Sequence, residues 1–449
     1  MSIFLNDLPF LISLALLPLL ISVSVFENRL SIPFHWWAGA MIMGLFATVF
    51  HALSVRPDMY ANIFLFGALF LLLFRWKKVL RYFQQIKWSI NSPHTVVVIL
   101  LVLVLYGFLQ INLYSPISGD VFAIWLNKTK GIYNGVEYSS LPMVEYPSLI
   151  PTFNAFLMKL TDGYQPNRGL YIGVSMYFFW ILTLLDLYKS KIKFIDALAL
   201  SIVAIIGFDE SFYNGMQDKI VMMGAGLAAI MLIKHFRASK FEINSGKRFF
   251  LQIGAFFAGG LALVKSEGMV LGGIIVVLAT IISMANSDFK IKLLIERYAF
   301  SVFVFALLLI LWPTILYTGN VDITNIQGDS LTLSSLFDIP HNLERIPVLM
   351  EYFISYINSI SEWFYTSLVL SVFGAWLVPE LRKELVFLWG IAILSWIFIF
   401  VVYLSTRAPL IWHLDTAFAR LMSQHIFIYV LSIIIVFQNF SQAWEPISE

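Results

Sequence analysis

Cysteine is absent from this 449-residue chain, so neither a disulfide nor a thiolate metal site can form. Charge is scarce: charged residues make up 12% of the sequence, where soluble domains carry about 25%. A net charge of +2 gives no electrostatic reason to expect nucleic acid as a partner. The seven histidines are dispersed, without the HExxH type of spacing that holds zinc. No Ser-His-Asp order, glycine-rich phosphate loop or nucleotide-binding element is present. A nucleotide-dependent enzyme would need a soluble domain, and the longest polar stretches, 114–146 and 318–346, have only the length of loops. The start of the chain, MSIFLNDLPF, lacks the basic region of a cleaved signal peptide, so the first apolar run is expected to be kept as a span.

Hydrophobic residues are abundant instead, at 59%, with 16% aromatic and 41 Phe. That balance implies an integral membrane protein of all-α, polytopic class. A crossing helix needs about 20 mostly apolar residues. About thirteen spans are expected, near 8–25, 35–54, 59–74, 96–113, 170–187, 195–208, 219–233, 250–264, 269–284, 298–317, 363–378, 385–403 and 421–438. The segment Pro147–Leu160 is short and marked by proline, and reads as a half-span or interfacial helix; Pro347–Ile360 is similar. Lys and Arg concentrate in loops 75–95, 188–193, 234–248, 286–297 and 379–384, which the positive-inside rule assigns to the cytoplasm. Loops 114–168, 209–218, 265–268, 318–362 and 404–420 then face outside, provided that 147–160 does not cross.

Those outer loops hold eleven side chains of chemical interest: Asp120, Glu145, Asp209, Glu210, Asp218, Lys265, Glu267, Arg407, His413, Asp415 and Arg420. Ionisable groups at a bilayer are costly and tend to be kept where they act. Asp120 opens a segment of helical spacing, with Ile124 and Lys128 on the same face; it reads as an N-cap or as a general base. Glu145 is a solvated loop acid, or a second acid that orients the acceptor or shares a metal with Asp120; Asp209, Glu210 and Asp218 are candidates for the same acceptor or metal role. Asp209 and Glu210 solvate a helix end or belong to a site, and Asp218 caps the next span or joins them. Lys265 and Glu267 sit in a turn that Gly268 tightens, as a paired hairpin tip or as a holder of lipid phosphate. His413 and Arg420 are two helical turns apart and form a phosphate clamp if they share a face, with Arg407 a lesser member. Trp412 is an interfacial belt residue or part of the same clamp.

Four segments carry a family resemblance. Asp120, Trp125, Lys128 and Lys130, followed by Tyr146-Pro147-Ser-Leu149-Ile-Pro151, resemble the first outer loop of GT-C-type glycosyltransferases. Relatives of that type include the dolichyl-phosphate-mannose protein mannosyltransferases and the lipid A aminoarabinose transferases. Met216-Gln-Asp218-Lys is similar to the family's Ala-Asp-Leu-Pro-type helix entry, with Lys219 where proline is usual. Leu263-Val-Lys265-Ser-Glu267-Gly268 looks like a Thr-Lys-Asn-Glu-Gly element between spans, and Trp412-His413-Leu-Asp415-Thr416 through Arg420-Leu421 resembles a Trp-His-Leu-x-Thr-Ser-x-x-Arg-Leu segment. Gly119 and Val121 flank Asp120 where many members carry a second acid.

The resemblance implies a GT-C-like fold with short juxtamembrane helices in the first outer loop. It implies transfer of a sugar from a polyprenyl-phosphate donor to a lipid, glycan or protein acceptor. The location would be a bacterial inner membrane, with the site on the periplasmic or extracellular side. Asp120 would be the base, and Lys265, Glu267, Arg407, Trp412, His413 and Arg420 would serve the donor phosphate. No cofactor is required; a divalent cation (Mg or Mn) is left open, since Asp120 and Glu145 alone make a poor site. Three regions follow: 1–95 with extra spans and a basic loop, 96–345 as the catalytic module with outer loop 114–168, and 346–449 with outer loop 404–420. Two other readings compete, a transporter or flippase of lipid-linked glycan and a glycan polymerase. Acids gathered at one surface rather than at the bilayer midplane count against transport.

Overall fold

The computed structural model describes residues 2–85, 121–144, 146–161, 163–185, 187, 217–238, 246–285, 291–318, 321, 339–406 and 409–443. Every regular element among the described residues is helical. In hydrocarbon the backbone must satisfy its own N–H and C=O groups, and an apolar helix does so within one segment. The principal helices are α1 (Ser2–Phe26), α2 (Ile32–Ala52), α3 (Pro57–Gln85), α4 (Asn127–Tyr133), α5 (Leu149–Leu160), α6 (Pro166–Leu185), α7 (Gln217–Arg237) and α8 (Gly246–Val264). They continue with α9 (Ser266–Ala285), α10 (Ile291–Thr318), α11 (Ile339–Ser359), α12 (Ser361–Leu377), α13 (Arg382–Ser405), α14 (Leu410–His413), α15 (Ala419–Ser423) and α16 (Ile426–Ala443).

Seven of the described helices are long and apolar enough to cross a membrane, or eight if α11 and α12 form one bent span. The protein is therefore an integral membrane protein. Of the thirteen spans expected, 96–113 and 195–208 lie outside the described residues. The segment read as a half-span forms α5, whose 12 residues reach about 18 Å, short of the roughly 30 Å hydrocarbon core. It is enclosed by protein: Leu149, Phe153, Phe156 and Leu157 are buried, and Thr152 meets Thr48 of α2 at 2.6 Å.

The described chain divides into two compact units, one of residues 1–220, 263–266 and 309–323, the other of 221–262, 267–308 and 324–449. In the first, α1 packs against α2 around a proline. Pro18 has no N–H, so the Leu14 carbonyl one turn earlier loses its helical donor. The Trp36 indole of α2 donates to that carbonyl at 2.8 Å. Gly39 permits the approach, since a Cβ there would fall 1.8 Å from the Pro18 carbonyl oxygen. A buried ion pair ties α1 to α6, with Arg168 Nε donating to Asp7 Oδ1 at 2.9 Å and the Tyr171 hydroxyl to Oδ2 at 3.1 Å. The outer face of α3, with Phe66, Phe70, Leu73 and Phe74 all above 70% exposed, is a surface for lipid rather than for water.

In the second unit, helix closeness is set by small residues. Gly272 and Gly268, spaced as GxxxG, lie on α9 where a Cβ would come within 2.2 Å of Ala258 O and 2.4 Å of Leu261 O on α8. Gly268 is thus a helical residue that lets two backbones touch, rather than the residue that makes the turn. At another end, Arg237 grips Glu384 through Nε (2.8 Å) and a terminal nitrogen (2.7 Å), and reaches Gln438 at 3.0 Å, joining α7, α13 and α16.

Two outcomes are expected. Trp36→Phe strips the Leu14 carbonyl of its donor and should destabilise the chain by about 1–3 kcal/mol, read as a lower thermal unfolding midpoint in detergent. Gly272→Leu drives a side chain into the α8 backbone and should cost more than the same change at Gly67, where a Cβ meets nothing within 4 Å.

Candidate functional site

Of the candidates, Asp120, Glu145, Asp209, Glu210 and Arg407 lie outside the described residues. The others fall into two groups, one in each compact unit.

In the first unit, α8 ends at Val264 and α9 begins at Ser266, leaving Lys265 outside both helices. Its ammonium meets Asp218 Oδ1 at 2.7 Å, and both side chains are less than a tenth exposed. Asp218 occupies the first turn of α7, so a carboxylate there also complements the positive end of the helix dipole. Lys265 thus finds its acid 47 residues away rather than in a simple hairpin tip. Next to Asp218, the Gln217 carboxamide is buried, and neither its nitrogen nor its oxygen has a hydrogen-bond partner among the described residues.

In the stretch expected to be the first outer loop, a π-helical turn, Val121–Leu126, runs into α4. Such turns are wider than α-helical ones; Asp120 itself lies outside the described residues. Lys128, at 0% exposure, donates to the carbonyls of Met143 at 2.6 Å and Tyr146 at 2.7 Å. It fastens the strand of loop that carries Tyr146 and Pro147 onto α4. Tyr138 donates to or accepts from Ser148 at 3.0 Å, and burial pushes its hydroxyl well above the usual phenol range despite that bond. It therefore stays neutral and able to donate at any physiological pH.

In the second unit the candidates gather round a residue that sequence reasoning passed over. Tyr403, near the end of α13, is fully buried. Its hydroxyl has no hydrogen-bond partner among the described residues. The charges of Arg420 and Glu267 both act on that hydroxyl, and the His413 ring lies 4.9 Å from the Tyr403 ring. His413 Nδ1 also faces Thr406 Oγ1 at 3.5 Å. Phe418 packs beside Tyr403 at 5.7 Å. Arg345 closes this end of α13 by donating to the carbonyls of Tyr403 (3.0 Å) and Thr406 (2.7 Å), where helix carbonyls lack internal partners.

Between His413 and Arg420 runs a second π-helical turn, Leu414–Phe418. One extra residue in a turn rotates the following register by about 100°. The expectation that a spacing of seven puts both on one α-helical face therefore does not carry over. What relates them is their common neighbour, Tyr403. Asp415 within the turn is exposed and accepts from the Tyr352 hydroxyl. Trp412 is 61% exposed, with its ring 6.2 Å from that of His413.

Chemically, the second group offers a cation, an imidazole and a phenol hydroxyl, with Glu267 as counter-charge. That set suits an anion with several oxygen acceptors, such as a phosphate. Among the described residues, no three His, Asp or Glu side chains gather closely enough to hold a metal ion. The early sign of Tyr403 was its position near the end of an apolar span, where a tyrosine reads as an interfacial belt residue.

The buried pair makes a sharp prediction. Lys265→Met or Asp218→Leu alone should destabilise the protein by about 3–5 kcal/mol, because each strands a charge away from water, whereas the double variant should recover most of the loss. Thermal unfolding of the three variants in detergent measures it. Compared with known proteins, the chain matches no family model, no curated protein and no solved structure.

Proposed function

We propose that this protein is a membrane-embedded glycosyltransferase that moves a sugar from a polyprenyl-phosphate donor to an acceptor hydroxyl on the non-cytoplasmic side of a bacterial inner membrane. The observation that carries the reading is that the His413 ring lies 4.9 Å from the ring of the buried Tyr403, whose hydroxyl is also acted on by the charges of Arg420 and, from a distant segment, Glu267. The resemblance of four segments to GT-C-type enzymes supports it from the sequence side.

In this reading Asp120 takes the proton of the acceptor hydroxyl, and the oxygen forms a bond to the anomeric carbon as the bond from that carbon to the phosphate oxygen breaks. Configuration inverts. The electron pair leaves with the polyprenyl phosphate, already a stable anion, so no strong general acid is needed. Arg420 and His413 neutralise the growing charge. The acyl-like tail of the donor needs only apolar helix surface, which the chain has in abundance.

A transporter of lipid-linked glycan is the second reading, and one observation favours it. The helices Asn342–Ser359 and Ser361–Leu377 are bent by 84° at a short break, and broken helices are common in transporters.

The purified protein in liposomes, supplied with radiolabelled polyprenyl-phosphate sugars and a crude acceptor fraction, separates these readings. Label transferred to acceptor is expected, with Asp120→Asn reducing transfer to background and Arg420→Ala lowering its rate by about 100-fold or more. Label that crosses the bilayer still attached to its lipid would favour transport. Full turnover by Asp120→Asn would remove the proposed base.

A further inference from the structure

Helix α11 presents three distinct faces. Counting about 100° per residue, Leu343, Ile346, Met350 and Ile354 fall within an arc of about 80°, and all four are exposed, at 61%, 39%, 41% and 52%; the stripe ends before Ile357, which is buried. Glu344, Glu351 and Ser355 make a second exposed stripe centred about 115° round the helix from the first. The third face is packed. Leu349 is fully buried in a cluster with Tyr403, Leu414 and Phe418, and the Phe353 ring lies 5.4 Å from that of Trp396.

The next helix, α12, is an apolar segment of 17 residues, and α11 turns from it by 84°. If α12 crosses the bilayer with a usual tilt of about 20°, α11 lies within about 26° of the membrane plane. Over the 11 residues from Leu343 to Ile354, a helix rises about 16 Å along its own axis, so its depth in the membrane changes by no more than about 7 Å.

We infer that α11 lies along the bilayer surface, with Leu343, Ile346, Met350 and Ile354 seated in the lipid and Glu344 and Glu351 facing water. The occupant of the apolar stripe is the acyl-chain boundary of the membrane. A second protein copy fits less well, because it would cover the stripe and bring its own surface against the neighbouring acids. The adjoining apolar and acidic stripes suit a boundary between oil and water, where one helix meets both. The acidic character of the wet stripe means that apolar burial, rather than attraction to anionic lipids, holds the helix down.

The placement has a consequence for the cluster round Tyr403. Arg345, on α11, holds the carbonyls that end α13, and Tyr352 holds Asp415 in the π turn. A helix anchored in the surface thereby sets the depth of residues 403–406 and 409–420 at headgroup level. This inference does not rest on the transferase reading and survives its failure.

Because the chain has no cysteine, single-cysteine variants for spin labelling need no background changes. Leu343→Cys, Met350→Cys, Ile354→Cys, Glu344→Cys, Glu351→Cys and Ser355→Cys, each carrying a nitroxide, are reconstituted in phosphatidylcholine vesicles with and without anionic lipid. Accessibility to oxygen and to a water-soluble nickel complex is then read by paramagnetic resonance. The expected result is oxygen-rich labels at 343, 350 and 354 at depths within about 7 Å of one another, nickel-rich labels at 344, 351 and 355, and no dependence on anionic lipid. A depth difference of about 16 Å between 343 and 354 would mean that α11 crosses the bilayer, and would overturn the proposal. So would nickel-rich labels at 343, 350 and 354, or dipolar broadening there from a second copy. All six positions are exposed, so labelling them leaves the packed face intact.

Discussion

A charge taken out of water must be met by an opposite charge or by several hydrogen bonds, or the fold does not tolerate it. That constraint organises this membrane protein more than any single apolar contact. Arg168 meets Asp7, Lys265 meets Asp218, and Arg237 meets Glu384 through both carboxylate oxygens. Lys128 is met by two carbonyls, as is Arg345. Each of these joins segments distant in sequence, so the partners act as pins between elements whose apolar surfaces alone would pack in many registers. Apolar faces are interchangeable in lipid; a buried cation with one carboxylate in reach is not.

The second determinant is the departure from ideal helix geometry. Pro18 opens a carbonyl that Trp36 fills, and Gly268 and Gly272 allow two helix backbones to touch. Two π-helical turns, at Val121–Leu126 and Leu414–Phe418, adjoin the loops that hold most candidate side chains. Turns of this kind recur at functional sites because they redirect side chains without ending the helix. The second one delivers His413 to one side of Tyr403 and the Arg420 charge to the same hydroxyl. His413 and Arg420 thus owe their relation to an irregularity, with Tyr352 of α11 holding the π turn from outside and Arg345 capping the carbonyls of Tyr403 and Thr406.

Much of this was legible in the chain, for reasons that differ from residue to residue. Lys265 stood out because a cation lies between two long apolar runs; read as a surface holder of phosphate or a hairpin-tip pair, it is buried in an ion pair. Its partner was less visible: Glu267, two residues away, was the natural guess, yet Asp218 holds it. Asp7 and Arg168 are separated by 161 positions and no local pattern couples them. Tyr403 was hidden because tyrosines at span ends are ordinary. The shared face of His413 and Arg420 was inferred from an α-helical period that the intervening π turn does not keep. Asp120, Glu145, Asp209, Glu210 and Arg407 fall outside the described residues, so their placement rests on the sequence alone.

The sequence by itself determined that the chain lives in a membrane, that it is helical, and where many of its apolar helices run. Those properties follow from composition summed over about 20 residues, and no tertiary contact can reverse them. Tertiary structure alone decided which charges meet, which tyrosine lies among them, and that α11 turns 84° from the helix it precedes. Such choices depend on a single carbonyl, a missing Cβ or one extra residue in a turn. Their energies are specific to position, and hydropathy averaged along the chain does not contain them.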